Sequence, residues 1–226
     1  MIAEENLSMN KAADISLSAN TVVSLIQVLM QQTVPMFNRY IKSASYQKRV
    51  LNEDDFTQIF VEQAQLLVRK ENYPFNINSQ YRDIHNLSKG FSDFYFYPNE
   101  EGISTASIFS VESKRLPAPE KAREKEYVMG NSKNGGIERY KIEKHGKGLA
   151  SCGVLGFIES NTFEHWLLTV NSWIQTLTHS DTSWKKDELL IEAEKKDHYT
   201  YLKSIAHRLS SSDVSLHHLW IYVPKT

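Results

Sequence analysis

The sequence predicts a single α/β domain, on three observations. Residues 52–70 and 161–177 carry apolar side chains at helical spacing. Extended aromatic or β-branched segments fall between and after them, at 93–97, 107–114, 152–158 and 218–223. The chain of 226 residues is 41% hydrophobic and 11% aromatic, enough for one sizeable core. Charged residues make up 23%, and Lys+Arg 26 against Asp+Glu 27 leaves a net charge of -1. That balance excludes an acidic disordered tail and a histone-like basic protein. A nucleic-acid partner would have to meet a local basic surface. A lone cysteine, Cys152, excludes an intrachain disulfide and a multi-cysteine zinc site, and it fits a reducing compartment. The start Met-Ile-Ala-Glu-Glu does not look like a signal peptide, and the longest apolar stretch, 22–30, is too short to span a bilayer. The reading is a cytoplasmic protein with no membrane partner.

The elements follow in order. Residues 1–18 read as a loose polar arm. From Asn20, a candidate N-cap, Val22, Leu25, Ile26, Leu29 and Met30 repeat at helical spacing. Pro35 is expected to end that helix, with a short second one over 36–43. Residues 1–48 are therefore expected to be an arm and helices packing on a core domain, 49–226. Asn52 caps the next helix, and Glu53, Asp54 and Asp55 place negative charge at its N-terminus. Phe56, Ile59, Phe60, Ala64 and Leu67 form its buried stripe. Strands are expected at 75–77, 93–97 and 107–114, with a turn at 98–102 and a stop at Pro117 and Pro119. A short helix is expected near Ile137 and a buried strand at 152–158. Asn161-Thr162-Phe163-Glu164 reads as a capping box opening a helix through Leu177. Residues 187–195 read as another helix and 218–223 as a final strand.

Strand geometry gathers the reactive groups. Residues two apart share a face, so Glu112 and Lys114 lie together, and Asp93 lies with Tyr95 and Tyr97. If Asp93 stands opposite Glu112, the hairpin centre falls between Gly102 and Ile103, inside the expected turn. An antiparallel pair in that register brings Asp93, Glu112 and Lys114 onto one face, with Cβ atoms roughly 5–8 Å apart. A one-residue slip would separate them. Two carboxylates can hold a hard cation such as Mg²⁺ together with water and substrate phosphate. A nearby ammonium can stabilise charge developing on phosphate.

Asp93 followed by Glu112-Ser113-Lys114 resembles the PD-(D/E)xK nuclease superfamily, a group of restriction-endonuclease-like proteins. The resemblance implies a mixed central β-sheet flanked by helices, here with an N-terminal helical extension. It implies Asp93, Glu112 and the Ser113 carbonyl as ligands of Mg²⁺ or Mn²⁺, and Lys114 as the catalytic lysine. Members often carry an acidic residue on a helix before the first strand. Glu53 is the first choice for it here and Glu62 the second. Tyr127, Gly136-Ile137-Glu138-Arg139-Tyr140, Gly153-Val154-Leu155-Gly156-Phe157, Ser204, His207 and His218-Leu219-Trp220 resemble an uncharacterised bacterial subgroup of the superfamily. The match spans about residues 50–223. The proline expected before the aspartate is replaced by Ser92. The implied activity is metal-dependent hydrolysis of phosphodiesters, of DNA ahead of RNA, with a genome-defence (phage defence) or DNA-processing role and a homodimer among the implied assemblies. The rival reading is a nuclease-fold module that binds nucleic acid or assembles with protein without catalysis.

Between Ser113 and Gly148 ten Lys/Arg face five Glu, a local excess of +5 in a nearly neutral chain. Such a stretch suits phosphate contacts. Arg115, Arg139, Lys141 and Lys144 are the candidate nucleic-acid contacts, with Arg139 first because the resemblance places it near the site. A solvated helix surface explains single members of the set equally well. The late histidines His207, His217 and His218 lack zinc-ligand spacing, and the Gly146-Lys147-Gly148 and Gly153/Gly156 pairs read as tight strand packing.

Overall fold

In the computed structural model, the described residues are 18–43, 50–82, 90–100 and 104–223. Residues 1–17 of the expected N-terminal arm, the domain boundary at 48/49 and the segment 101–103 around the centre of the expected hairpin lie outside them. Seven strands form one mixed sheet: β1 (Phe75–Arg82), β2 (Phe91–Pro98), β3 (Phe109–Leu116), β4 (Ser151–Ile158), β5 (Ile191–Lys195), β6 (Tyr199–Ala206) and β7 (Val214–Tyr222). Their order is β1-β2-β3-β4-β7-β6-β5. The central trio β3, β4 and β7 is parallel and the flanking pairs are antiparallel. Parallel strands need crossovers, and helices supply the cover for both faces.

One face of the sheet packs on α1 (Ala19–Ile41) and α2 (Glu53–Glu71). Phe94, Phe96, Phe109, Val111, Leu155 and Phe157 of the sheet close there on Ile26, Leu29, Phe37, Phe56 and Phe60. The other face packs on α3 (Gly136–Lys141) and α4 (Phe163–Ser180), through Leu116, Val154, Leu216 and Trp220 against Ile137, Tyr140, Trp166 and Val170. Among the described residues, none of β1 or β2 belongs to this second cluster. Gly156 is required by that packing, because a Cβ there would stand 2.3 Å from Trp220 Cδ1.

The α2 reading holds in detail. Asn52 accepts from the Asp55 N–H and Asp55 accepts from the Asn52 N–H, a full capping box. Four local expectations are corrected. Ser18, not Asn20, caps α1, and the helix runs through Pro35 to Ile41 without interruption. Residues buried on both sides of Pro35, Val34 and Phe37, hold it against the core, so packing overrides the lost backbone donor. Thr162 caps α4 alone, because the residue three positions on is His165 and not a carboxylate. Residues 187–195 are not a helix. They give a 3₁₀ turn at Lys186–Glu188 and then edge strand β5, paired with β6. No described helix is long and apolar enough to cross a membrane.

Candidate active site

The site forms where β2 and β3 part. Their ladder pairs Phe94 with Val111, Tyr95 with Ser110 and Phe96 with Phe109. This is the register that sets Asp93 against Glu112. Phe94 and Val111 both enter the α1/α2 core, so Asp93, Glu112 and Lys114 take the opposite face, as the alternation predicts. The ladder stops at Phe94/Val111, and the Asp93 carboxylate takes over from the backbone, with the Ser113 N–H donating to Asp93 Oδ2 at 2.6 Å.

Lys114 is nearly buried, with its ammonium enclosed by oxygen. Nζ donates to the Ser113 carbonyl oxygen at 2.7 Å and lies 2.8 Å from Glu112 Oε1 and 3.1 Å from Glu53 Oε1. Glu53, the first residue of α2, also accepts from the Arg115 N–H at 3.0 Å through Oε2. It therefore ties the start of α2 to the end of β3. Glu62, nine residues further along α2, instead meets Gln58 on an exposed helix face at 2.9 Å. Of the two helix carboxylates, Glu53 is the one brought to Lys114.

Glu112 is 0% exposed and carries three neighbours able to hold positive charge. Lys114 and Arg139 both meet Oε1, and His145 Nδ1 lies 2.9 Å from Oε2. Burial alone would raise the Glu112 carboxyl, but Lys114, His145 and Arg139 more than offset it and draw the group down to about 2. Asp93 is pushed up to about 7 by burial and the nearby Glu112 charge, against the pull of Lys114 and the Ser113 N–H. Burial would lower Lys114, yet Glu112, Glu53 and Asp93 hold its pKa above the usual lysine range, so it stays an ammonium.

His145 is the residue that the sequence reading missed. It is 2% exposed and sits in an irregular turn after α3. Gly90, just before β2, places it: the Gly90 N–H donates to the Lys144 carbonyl at 3.1 Å, and a Cβ at Gly90 would stand 2.3 Å from His145 Cδ2. That contact joins segments 55 residues apart, and no periodicity announces it.

The structure places the four expected nucleic-acid contacts as follows. Lys141 is 2% exposed, paired with Glu188, and stacked over Trp184 at 4.6 Å, so it cannot meet a phosphate backbone. Arg115 is held by both Glu159 carboxylate oxygens and lies over Phe56. Arg139 is committed to Glu112, inside the site. Lys144 donates to Asn134 Oδ1 at 2.7 Å and is half-buried. The exposed cations of this stretch are Lys121, Lys125, Lys133 and Lys147.

Among the described residues, no three His, Cys, Asp or Glu side chains stand together as a ready-made metal cage. The donor chemistry still fits a hard cation. Glu53 Oε1, Glu112 Oε1 and the Ser113 carbonyl already converge on one positive centre, the Lys114 ammonium. Glu112 Oε2 is buried without an aligned hydrogen bond. Compared with known proteins, the chain matches no family model, no curated protein and no solved structure.

Proposed function

We propose that the chain is a metal-dependent nuclease with a restriction-endonuclease-like core, hydrolysing phosphodiester bonds of DNA. The observation that carries this reading is the meeting of Asp93, Glu112, the Ser113 carbonyl, Lys114 and Glu53 at the fork between β2 and β3. A fully buried carboxylate, Glu112, grouped with the half-buried Asp93 and Glu53 around a nearly buried lysine, is costly unless it serves a cation or a reaction. The mixed sheet with helices on both faces, and the acidic residue on the helix before β1, agree with what the resemblance implies.

Asp93, Glu112 and the Ser113 carbonyl would hold Mg²⁺ or Mn²⁺. When bound, the ion polarises a phosphoryl oxygen and lowers the pKa of a water. Lys114, kept charged by its carboxylates, stabilises negative charge developing on the phosphate and orients the attacking water. Glu53 positions Lys114. Arg139 and His145 fix Glu112.

One observation favours the rival, a non-catalytic module: Glu112 is already opposed by Lys114, Arg139 and His145. Cleavage of labelled single- and double-stranded DNA in Mn²⁺, by the parent, Glu112→Gln and Lys114→Ala, decides between them. Cutting by the parent that stops in EDTA and in both folded variants supports the nuclease. A parent that binds Mn²⁺ and cuts neither substrate refutes it.

A further inference from the structure

The outer face of β2 is aromatic at every second position except the one that carries the candidate metal ligand. Phe94 and Phe96 point into the α1/α2 core, so Phe91, Asp93, Tyr95 and Tyr97 share the other face. Tyr95 and Tyr97 stack on each other, with centroids 5.3 Å apart and planes at 28°. On the far side of Asp93, Phe91 is 54% exposed and the Arg82 guanidinium lies over its ring at 5.6 Å. The neighbouring strand adds amide groups on the same face, where Asn76 stands opposite Tyr97 and Asn78 opposite Tyr95. Arg69 and Gln65 of α2 line, with Asn76 and Tyr97, a cleft of about 220 Å³ at the sheet edge. Among the described residues, no helix covers this face, because the α3/α4 cluster takes nothing from β1 or β2.

An outward strand face of a soluble sheet is ordinarily polar, and rings there need a reason. Their cross-strand neighbours are polar: the Tyr95 hydroxyl is hydrogen-bonded to the Asn78 side chain, Ser110 stands opposite Tyr95 on β3, and Asn76 stands opposite Tyr97 on β1. Aromatic rings along a groove, amides beside them and a cation at each end match what an unpaired nucleic-acid strand offers, bases with two flat faces and a phosphate backbone. The track is continuous with the candidate site, since Asp93 stands about 7 Å of strand from Tyr95 and the same from Phe91.

The geometry points to single-stranded DNA as the substrate class, with bases stacked on Tyr95 and Tyr97 on one side of Asp93 and on Phe91 on the other. This rests on the nuclease reading above and specifies what that site would cut. A paired duplex buries the base faces that these rings would take, so the track discriminates against it.

The test is fluorescence anisotropy of the full chain with a labelled 20-mer of DNA, as a single strand, as its blunt duplex and as RNA of the same sequence. Ca²⁺ replaces Mn²⁺ to limit cutting, and Mn²⁺ calorimetry runs in parallel. The single strand is expected to bind at least tenfold more tightly than the duplex. The double substitution Tyr95→Ala with Tyr97→Ala is expected to weaken it by at least tenfold. Tyr95→Phe with Tyr97→Phe, which keeps both rings, is expected to bind as the parent does. Circular dichroism checks the fold, and Phe91→Ala, on the other flank, gives a separate reading if the alanine pair does not fold. Equal or tighter binding of duplex or RNA, parental affinity in the alanine variants, or equal loss in the phenylalanine pair overturns the proposal. Such a result with Mn²⁺ still bound removes the stacking track alone. Loss of both Mn²⁺ and nucleic-acid binding in the parent removes the nuclease reading as well.

Discussion

Replacing Lys114 with alanine probes the centre of the site from two sides. The ammonium is almost wholly buried and touches Glu112, Glu53 and the Ser113 carbonyl. Breaking a buried ion pair typically costs about 3–5 kcal/mol, because a buried charge loses its counterion. Glu112 keeps Arg139 and His145, so the lower end, about 3 kcal/mol, is expected without metal. For a chain of this size that lowers Tm by about 6–12 °C. The proposed ligands Asp93, Glu112 and the Ser113 carbonyl are untouched by the substitution, so Mn²⁺ at 100 times Kd should stabilise parent and variant alike by about 2.7 kcal/mol. Thermal melts of parent and Lys114→Ala in EDTA and in Mn²⁺ read both effects. The account expects a large gap in EDTA, a rise of both melts in Mn²⁺, and no cleavage by the variant. Equal melting in EDTA, or a variant that Mn²⁺ does not stabilise, would refute the reasoning.

Three further outcomes are expected. His218 is fully buried between the Tyr127 hydroxyl (2.7 Å) and Ser204 Oγ (2.9 Å), and burial lowers its pKa to about 3. An unfolded histidine titrates near 6.5, so the unfolded chain takes the proton first, and the stability this group contributes is full above about 6.5 and is lost as pH falls toward 3. Relative to His218→Gln, the parent should lose about 2.5 kcal/mol between pH 6 and pH 4, and denaturant unfolding profiles that run parallel would contradict this. Lys141→Met leaves Glu188 buried without its cation and should cost about 3–5 kcal/mol. The same variant should leave the salt dependence of DNA binding at the parental slope, because Lys141 touches no phosphate; a shallower slope would restore it as a contact. Gly156→Ala drives a Cβ into Trp220 and should destabilise by about 1–3 kcal/mol, a result that a calorimetric melt at parental Tm would exclude.

The centre of the site was legible because it is set by period-two alternation and one register. Asp93, Glu112 and Lys114 follow from the hairpin, and the capping box and apolar stripe of α2 place Glu53 by the same short-range rules. What the sequence did not disclose is long-range. His145 reaches Glu112 only because Gly90 lets the turn after α3 close on the start of β2. Arg139 and Lys141 read as members of a basic stretch, yet each turns toward a buried carboxylate, Glu112 and Glu188, that lies distant in sequence. Residues 187–195 suit a helix from sequence because Glu192, Glu194 and Lys195 fit an exposed helix as well as an edge strand, and pairing of β5 with β6 makes the difference. Pro35 stays within α1 because core packing on both sides of it outweighs a single lost donor.

The most direct test of the central claim is calorimetric titration of Mn²⁺ into the parent and into Asp93→Asn, with circular dichroism to show that both are folded. Saturable binding by the parent that is lost in the folded variant is the predicted result. Equal binding by the two proteins, or none by either with single-stranded DNA present, would contradict the assignment of Asp93 and Glu112 as the metal-holding pair of a nuclease.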